Sequence, residues 1–356
     1  MKNILIDNID KRMTAPLVEY LVKKGYNVEG IKFKNTKVIS NHINSVFEIS
    51  KENIKEDLIK VLSKFSSEDY LLVGHPLVIE AVNEIRPNIK YIVPTNELIK
   101  KITNKKWLMD FANNLNIKVP KNTTNKYPLV VKLNNSENTT LKPQQRYKIV
   151  NNEEEYRKAI ETISNNKDNI LVQEYVTGKG FGVSMLLDFN SNLVDYIMHE
   201  RILEYPISGG PSAICISQYK KDLVYSAYKL LKELKWTGYA MVEFKGDYLI
   251  EINPRYWGSM PLLFVAKSDF FENYLKVLDN SHKNIDENDI PYKLKKKMYY
   301  FPQAYFAVIA YLKRGNIKKA LKHIANIITA KEGIFYFKNP VPFINYLKSL
   351  VRRNIK

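Results

Sequence analysis

Short apolar runs and helix-spaced apolar positions alternate along residues 1–95. The runs predict strands at 2–8, 27–33, 46–50, 70–74 and 90–94. Between them, the spacing of apolar residues predicts helices at 15–26, 53–64 and 76–86. This alternation predicts a parallel sheet covered by helices. Because no glycine-rich fingerprint follows the first strand, the unit is interpreted as Rossmann-like without a dinucleotide site.

The middle of the chain mixes helices with antiparallel strands. The pattern predicts helices at 103–116, 152–163 and 222–236. It predicts strands at 127–133 and 146–150, and three antiparallel strands within 169–205. A polar segment without glycine, 134–145, separates two of these elements. The chain is therefore expected to be a mixed α/β protein with more than one sheet.

A hairpin at 241–259, MVEFKGDYLIEINPRYWGS, carries polar residues at alternate positions. Glu243 shares its parity with Glu251, Asn253 and Arg255. A two-residue turn at 246–247 would place the two glutamates on opposite faces, whereas an odd-length loop would pair them. Paired, two carboxylates and an amide oxygen suit Mg²⁺, and Arg255 suits a phosphoryl or carboxylate oxygen. The alternative is a solvated hairpin face.

Composition and charge narrow the class of protein. The chain has 356 residues, 45% of them hydrophobic, and one cysteine, which excludes an internal disulfide and indicates a reducing compartment. The N-terminal apolar run is too short for a signal peptide, and no apolar stretch approaches the ~20 residues of a membrane-spanning helix. The protein is expected to be cytoplasmic, with association at the inner face of the membrane as an alternative.

The hairpin sequence resembles the metal-binding end of the ATP-grasp superfamily, within its carbamoyl-phosphate-synthase-like carboxylate–amine ligases. Upstream segments resemble other superfamily motifs in the expected order. These segments are NKKW at 104–107, YPLVVKL at 127–133, VQEYVTGKGFGVS at 172–184 and HERILEYPISGGPS at 199–212. The resemblance spans roughly residues 95–270, and the N-terminal sheet takes the usual preceding position.

The resemblance implies a role for each matching residue. Lys105 and Lys132 would reach the nucleotide phosphates, and Glu174 with the backbone around Tyr175 and Val176 would form the adenine hinge. Glu251 would bridge two Mg²⁺ ions, with Glu243 and Asn253 each completing one; Mn²⁺ is an alternative ion. Arg255 would hold the intermediate. The implied acceptor-site residues are Arg201, Ser208, Gly209, Gly210 and Ser212.

The implied reaction is ATP-dependent ligation of a carboxylate and an amine through an acyl phosphate, with release of ADP and phosphate. The substrates would be an amino acid, a peptide or a cell-envelope precursor. A carbamate- or carboxyphosphate-forming enzyme and a non-catalytic nucleotide-binding protein are the alternatives. An oligomeric state is left open.

The sequence departs from the superfamily pattern in two places. Many relatives carry a glycine-rich phosphate loop after the second lysine, but 134–145 contains no glycine. Some relatives carry an acid for the ribose hydroxyls six or seven residues after the hinge glutamate. Gly180 and Phe181 occupy these positions, so the ribose contact is unassigned.

Three domains are predicted. They are a pre-ATP-grasp Rossmann-like domain at 1–95, an ATP-grasp domain at 96–290 with a lid at about 118–175, and a basic helical extension at 291–356. The extension carries 15 Lys and Arg against one acid, so it supplies +14 of the net charge of +18. Nucleic acid is not expected as a partner, because no groove-reading motif accompanies the charge.

Two amphipathic stretches in this extension allow two interpretations. One stretch, 316–328, gathers its apolar face from Ile317, Ala320, Leu321, Ile324 and Ile328. The other, 342–356, gathers Phe343, Leu347, Leu350 and Val351. The favoured interpretation is that both helices pack on the body and expose lysines. The alternative is peripheral contact with a membrane surface through 291–356.

Overall fold

The computed structural model describes residues 2–135, 147–163, 169–207 and 209–354, with side chains to residue 351. Ser208 and most of the glycine-free segment 134–145, to which the sequence assigned an acceptor and a phosphate-loop position, lie outside the described residues. The described residues form three sheets with helices packed against them. The mixed α/β fold class predicted from the sequence is confirmed.

The N-terminal sheet is fully parallel, with strand order β3-β2-β1-β4. Its strands are β1 Asn3–Ile6, β2 Asn27–Phe33, β3 Val46–Ile49 and β4 Tyr70–Leu72. Its helices are α1 Ala15–Lys23, α2 Ile54–Leu62 and α3 Pro76–Ile85. The fifth strand predicted at 90–94 is wrong: only a single bridge joins Lys90 to Tyr70. Pro94 ends this run, and a proline has no N–H to extend a ladder.

The large sheet has the order β12-β11-β8-β9-β10-β13-β14. Its strands are β8 Gly180–Leu187, β9 Leu193–Glu204, β10 Ser212–Ser217, β11 Gly238–Lys245, β12 Tyr248–Asn253, β13 Lys297–Tyr299 and β14 Lys331–Glu332. The helices that accompany this part of the chain are α4 Asn96–Thr103, α5 Lys105–Asn114, α7 Lys221–Glu233, α8 Leu262–Val265 and α9 Phe270–Leu278. One continuous core joins this sheet to the N-terminal sheet, so both are held in a fixed relation.

A small sheet with its own core lies beside the large one. It consists of β5 Leu129–Leu133, β6 Tyr147–Val150 and β7 Ile170–Glu174, and α6 Glu153–Ile163 packs on it. The three strands predicted within 169–205 are present as β7, β8 and β9, but they do not share one sheet, because β7 pairs with β5 instead of β8. Residues 175–179 interrupt the run, and Gly178 adopts a φ of +134° there, a conformation that glycine adopts readily.

The C-terminal region contains α10 Gln303–Lys313, α11 Ile317–Ile328 and α12 Val341–Asn354. It is mainly helical, as predicted, but β13 and β14 also belong to the large sheet. The favoured interpretation that both amphipathic helices pack their predicted apolar faces on the body agrees with α12 and is wrong for α11. Phe343, Leu347 and Leu350 of α12 pack against the main core, whereas α11 leaves most of its apolar face in solvent. Across the described ranges, no helix combines the length and the apolar character that crossing a bilayer requires.

Candidate active site

The hairpin β11–β12 combines a two-residue turn with a β-bulge. Lys245 pairs with Tyr248 across Gly246-Asp247, yet Glu243 pairs with Glu251 because the register shifts by one residue at Ile250. An odd-length loop, which would have paired the glutamates directly, is therefore not present. The expectation that a two-residue turn places the glutamates on opposite faces is wrong, because the extra residue restores the pairing. Both glutamates consequently project from the same face.

Asn253 lies between the two carboxylates. Its amide nitrogen donates to Glu243 Oε1 and to Glu251 Oε1, both at 3.1 Å. Asn253 is buried, and the Glu243 side chain is only 14% exposed. Burial raises the pKa of Glu243, and the nearby charge of Glu251 adds to this shift. A nearly buried Glu243 and a partly exposed Glu251 thus lie on one face, joined through the amide of Asn253; we call these three residues the acidic wall.

Arg201 reaches this wall from β9, two strands away. Its guanidinium donates to Glu243 Oε2 and lies 3.5 Å from a carboxylate oxygen of Glu204. The charge of Glu243 raises the pKa of Arg201, so the guanidinium stays protonated. Its buried Nε–H has no hydrogen-bond partner among the described residues. An unpartnered guanidinium N–H beside two carboxylates is suited to an anionic ligand oxygen.

Two glycines of the GKGFG segment at 178–182 leave space for the side chains of Arg201 and His199. A Cβ on Gly180 would lie 3.0 Å from Arg201 Cδ, and a Cβ on Gly182 would lie 2.3 Å from His199 Cε1. In the register of the sheet, Gly182 lies between Glu243 and His199. The sequence analysis assigned no role to these glycines, although their alternate spacing on a strand was a readable signal. Because these two positions of β8 have no side chain, side chains of β9 can cross over β8 toward β11.

His199 is a structural residue in this arrangement. Burial lowers its pKa to about 3, with the charge of Arg201 adding to the shift, so the imidazole is neutral. Its Nε2 lies 3.2 Å from the hydroxyl of Ser259, at the end of the hairpin segment. His199 is therefore a buried histidine with a partner inside the protein.

The two lysines predicted to bind phosphate approach the same place from different elements. Lys132 lies on β5 of the small sheet, and Lys105 is the first residue of α5. Burial lowers the pKa of Lys132 to about 8, the charge of Lys105 lowers it further, and Glu251 opposes the shift. Lys132 therefore lies within electrostatic range of both Lys105 and Glu251.

Asn134 ties β5 to the start of α5 and brings the two lysines together. Its carbonyl and side-chain oxygens accept hydrogen bonds from the backbone N–H groups of Lys105 and Lys106, at 3.1 and 2.8 Å. Its amide nitrogen donates to Asn104, which caps α5. The sequence analysis missed this residue, because nothing in the local pattern relates 134 to 104.

The predicted adenine hinge follows β7. The Glu174 carboxylate accepts a hydrogen bond from the backbone N–H of Lys121 at 2.9 Å, and the N–H of Tyr175 donates to the carbonyl of Pro128 at 3.0 Å. Glu174, Tyr175 and Val176 are all partly exposed. This segment connects the small sheet to the large one, so a ligand bound against it would touch both.

The predicted acceptor turn connects β9 to β10. Gly209 has a φ of +127°, and its N–H donates to the carbonyl of Pro206 at 3.1 Å. A Cβ on Gly209 would lie 2.2 Å from the hydroxyl oxygen of Tyr147, so β6 of the small sheet touches this turn. Gly210 and Ser212 follow directly, with Ser212 paired to Glu204. Tyr147 is a further residue that sequence reasoning missed.

Arg255 lies beyond the hairpin, at the boundary with the N-terminal sheet. Its side chain is exposed and donates to the carbonyl of Tyr256 at 3.2 Å. Burial lowers the pKa of His75 to about 4, and Lys11 and Arg255 contribute to the shift. Asp7, which follows β1, accepts hydrogen bonds from the N–H groups of Gly74 and His75, which follow β4, at 2.8 and 2.7 Å. The carboxyl ends of β1 and β4 thus lie near Arg255.

The donor set at Glu243, Glu251 and Asn253 fits a magnesium ion. Among the described residues, no group of three or more His, Cys, Asp or Glu side chains is placed to hold a metal. Mg²⁺ is commonly bound by only one or two carboxylates together with substrate phosphates. Two facing carboxylates and an amide, with two lysines nearby for phosphate, match that arrangement.

Comparison with known proteins agrees with this geometry. Residues 102–259 match the model of the ATP-grasp domain. Comparison with curated protein sequences finds no match. The resemblance to the ATP-grasp superfamily predicted from the motifs is confirmed over these residues.

Solved structures of similar fold belong to several ATP-grasp enzymes. Biotin carboxylase from Campylobacter jejuni, described as a β-γ-ATP complex, shares 16% identity and a TM-score of 0.65 over 83% of this chain and 74% of its own. An L-amino acid ligase from Bacillus licheniformis shares 15% identity and 0.61 over 82% and 78%. N5-carboxyaminoimidazole synthetase from Staphylococcus aureus, complexed with ADP, shares 14% and 0.63 over 83% and 80%. At these identities the likeness concerns the fold.

Proposed function

We propose that the protein is an ATP-dependent carboxylate–amine ligase that forms an amide or peptide bond and releases ADP and phosphate. The observation that carries this proposal is the convergence of two carboxylates, a guanidinium and a lysine from four strands. Glu243, Glu251 and Asn253 lie on one face, and Arg201 donates to Glu243. The charge of Glu251 also acts on the ammonium group of Lys132.

The proposed position of ATP follows from the charges. Lys105 and Lys132 supply positive charge for the phosphates, because ammonium groups offset phosphate charge as compact cations. The adenine would lie against Glu174, Tyr175 and Val176, where the segment between the two sheets is partly exposed. The acidic wall would face the phosphates across a metal ion.

In the first proposed step, a carboxylate oxygen of the substrate attacks the γ-phosphorus of ATP. The bond between that phosphorus and the β–γ bridging oxygen breaks, so an acyl phosphate and ADP are formed. Phosphoryl transfer needs positioning and charge stabilisation more than covalent help from the protein. Arg201, with its buried unpartnered N–H, and Arg255 are the proposed groups that hold the reacting carboxylate and the acyl phosphate.

In the second proposed step, the amine attacks the acyl carbon. The carbon–oxygen bond to phosphate breaks, the amine loses a proton, and phosphate leaves. Gly209, Gly210 and Ser212 form the proposed wall of the acceptor site, next to Tyr147. Contact between the small sheet and this turn would limit the access of water to the acyl phosphate.

Two Mg²⁺ ions are the proposed metal complement, and Glu243, Glu251 and Asn253 are the residues that would hold them. When bound, the metal would neutralise phosphate charge and orient the phosphoryl group. To supply an oxygen, the amide of Asn253 would have to turn, since its nitrogen now donates to both carboxylates.

The proposed domain division is the one predicted from the sequence. Residues 1–95 would form the preceding Rossmann-like domain and 96–290 the ATP-grasp domain, with the lid at about 118–175. The 291–356 extension would form a further unit, although β13 and β14 anchor it to the large sheet. We propose a cytoplasmic location for the whole chain.

A coupled assay of ADP release tests the proposal. The protein is incubated with ATP and Mg²⁺ and with a panel of amino acids and peptides, singly and in pairs. We expect ADP release only where a carboxylate and an amine are both present and Mg²⁺ is included.

Other outcomes would contradict the proposal in distinct ways. ADP release that depends on bicarbonate alone would indicate a carboxyphosphate-forming enzyme. ATP binding without turnover across the whole panel would indicate a nucleotide-binding protein.

A further inference from the structure

The helical hairpin α10–α11 exposes an unusual amount of apolar surface. Ten of the nineteen large apolar side chains that are exposed among the described residues lie between positions 305 and 337. They are Tyr305, Phe306, Ile309, Leu312, Ile317, Leu321, Ile324, Ile328, Phe335 and Phe337. Exposed apolar side chains scattered singly need no explanation, but a concentration of this kind marks an interaction surface.

On α11 these side chains form one continuous stripe. Ile317, Leu321, Ile324 and Ile328 follow the spacing i, i+4, i+7 and i+11, and they are 60, 60, 39 and 78% exposed. A second stripe at i, i+4 and i+7 lies on α10, where Tyr305, Ile309 and Leu312 are 42, 47 and 47% exposed. We call these two sets the apolar stripes.

The apolar stripe of α11 is separate from the face that packs on the protein. Ala320, His323 and Ile327 are the buried residues of this helix. At about 100° per residue, they lie to one side of the stripe, and Lys318, Lys319 and Lys322 lie on the other side. Around the helix, a buried face, an exposed apolar stripe and a lysine face therefore follow one another.

The charge around the apolar stripes has a single sign. From Pro291 to Lys331 the sequence contains no Asp or Glu. Six basic residues of this hairpin and its end are exposed, and none forms an ion pair with a described carboxylate. They are Lys313, Arg314, Lys318, Lys319, Lys322 and Lys331.

This charge argues against a second copy of the chain as the occupant. A two-fold symmetric contact places the same patch on both sides, so two sets of six positive charges would face each other. An anionic partner is complementary instead. An extended apolar stripe bordered by lysines is the pattern of helices that lie in the interface of an anionic bilayer.

We propose that the α10–α11 hairpin docks the protein onto the surface of an anionic lipid membrane. The apolar stripes would enter the boundary between headgroups and acyl chains, and the six basic residues would bind lipid phosphates. α12 would remain on the body, where Tyr346 is buried and its hydroxyl accepts from Arg12 and Gln303, both at 2.9 Å. The proposal does not depend on the ligase reaction.

Vesicle flotation of the full-length protein tests this proposal. Vesicles of phosphatidylcholine are compared with vesicles in which about a third of the lipid is phosphatidylglycerol. We expect flotation with the anionic vesicles only, weakened by salt. Point variants are used because β13 and β14 belong to the large sheet, so deletion of 291–356 would damage the fold.

Two variants separate the apolar and the electrostatic contributions. Combined Ile317→Ser, Leu321→Ser and Ile328→Ser should weaken vesicle binding about 100-fold or more, because each loses its insertion into lipid. Combined Lys318→Gln, Lys319→Gln and Lys322→Gln should weaken it on the order of 100-fold.

Matched controls come from elsewhere on the surface. Combined Ile59→Ser, Phe189→Ser and Tyr225→Ser removes side chains that are also about half exposed, at 53, 52 and 49%. Combined Lys34→Gln, Lys37→Gln and Lys60→Gln removes three exposed lysines of the N-terminal region. Both controls should float like the wild type.

Three results would overturn the proposal. The first is wild-type protein that fails to float with anionic vesicles. The second is equal loss of binding in the hairpin variants and the controls. The third is a dimer, seen by light scattering, that the apolar variant converts to monomer while no vesicle binding occurs.

Discussion

The β11–β12 hairpin and the α10–α11 hairpin distribute polar and apolar groups in opposite ways. On β11–β12, the carboxylate of Glu243 and its partner Arg201 are only 14 and 20% exposed. On α11, Leu321 and Ile328 are 60 and 78% exposed. Charged groups lie inside in one region, and large apolar groups lie outside in the other.

Both arrangements are unfavourable for the isolated folded chain. Burying two carboxylates costs free energy unless cations and hydrogen bonds compensate, and exposing leucine and isoleucine forgoes the gain from burial. Each region is therefore expected to gain its full stabilisation from a partner: metal and phosphate in the first, an anionic lipid surface in the second. Five substitution experiments separate the two regions, from the largest expected effect to the smallest.

Removing the buried cation should have the largest effect. Arg201→Met leaves Glu243 beside Glu251 without its guanidinium partner. We expect the free energy of unfolding to fall by about 3–5 kcal/mol, as for other broken buried ion pairs. Urea unfolding at neutral pH measures this. The double variant Arg201→Met with Glu243→Gln should recover most of the loss, whereas Arg157→Met on exposed α6 should change little; a similar loss in both single variants would contradict the account.

Removing one acid should harm activity and spare stability. In Glu251→Gln we expect kcat to fall about 100- to 1,000-fold, because charge stabilisation during phosphoryl transfer is lost. The unfolding free energy should stay level or rise, since two facing carboxylates repel. ATP with Mg²⁺ should raise the melting temperature of the wild type and not of the variant. Glu233→Gln, on the exposed face of α7, is the control; equal turnover in both would count against the site.

Filling the space at Gly182 tests how His199 is accommodated beside β8. In Gly182→Ala the new Cβ would lie 2.3 Å from the His199 ring. We expect a loss of about 1–3 kcal/mol in the free energy of unfolding, as in other overpacked cores. Gly258→Ala, where nothing lies within 4 Å of the new Cβ, should be nearly neutral. Thermal melts of the two variants are sufficient for the comparison.

The role of Lys132 should appear in the pH dependence of ATP binding. Its folded-state pKa is lowered to about 8 by burial and by Lys105, so it is cationic below that pH and neutral above it. ATP affinity should therefore weaken as pH rises through about 8, by up to about tenfold per pH unit. Lys132→Arg stays protonated and should flatten the profile. Calorimetric titration between pH 7 and 10 measures both, and parallel profiles would remove Lys132 from the phosphate site.

The smallest effect on stability is expected at the apolar stripe of α11. Leu321→Ser should change the unfolding free energy by less than about 0.5 kcal/mol, because the side chain is already in solvent. Leu347→Ser on α12 should cost about 1–2 kcal/mol, since Leu347 packs against the main core. Comparable losses in the two variants would show that α11 buries its stripe in solution.

The sequence pattern predicted the parallel sheet, most helices and the presence of a β-hairpin at 241–259, because each of these depends on local periodicity. It left open whether Glu243 and Glu251 share a face, and the family resemblance implied that they act together. Alternation alone could not decide this, because it cannot reveal a bulge: Leu249 and Ile250 are both apolar, and either fits the core side of a strand. The register is decided by packing across the sheet.

The remaining differences involve contacts between distant residues. Nothing local shows that β7 pairs outside the large sheet, that Asn134 binds the start of α5, or that Gly180 and Gly182 leave space for Arg201 and His199. The helical pattern of α11 placed Ile317, Leu321, Ile324 and Ile328 on one face, but the expectation that this face packs on the body is wrong. Ala320, His323 and Ile327 pack instead, because the neighbouring elements meet that side of the helix.

Transfer of labelled oxygen tests the proposed ligation most directly. Once the substrate panel has given an active pair, the carboxylate substrate is labelled with ¹⁸O and the released phosphate is analysed by mass spectrometry. We expect one ¹⁸O atom in each phosphate, because an acyl phosphate gives its bridging carboxylate oxygen to phosphate when the amine attacks. Phosphate without label would show that the carboxylate is not activated by phosphoryl transfer, and would contradict the proposed ligase mechanism.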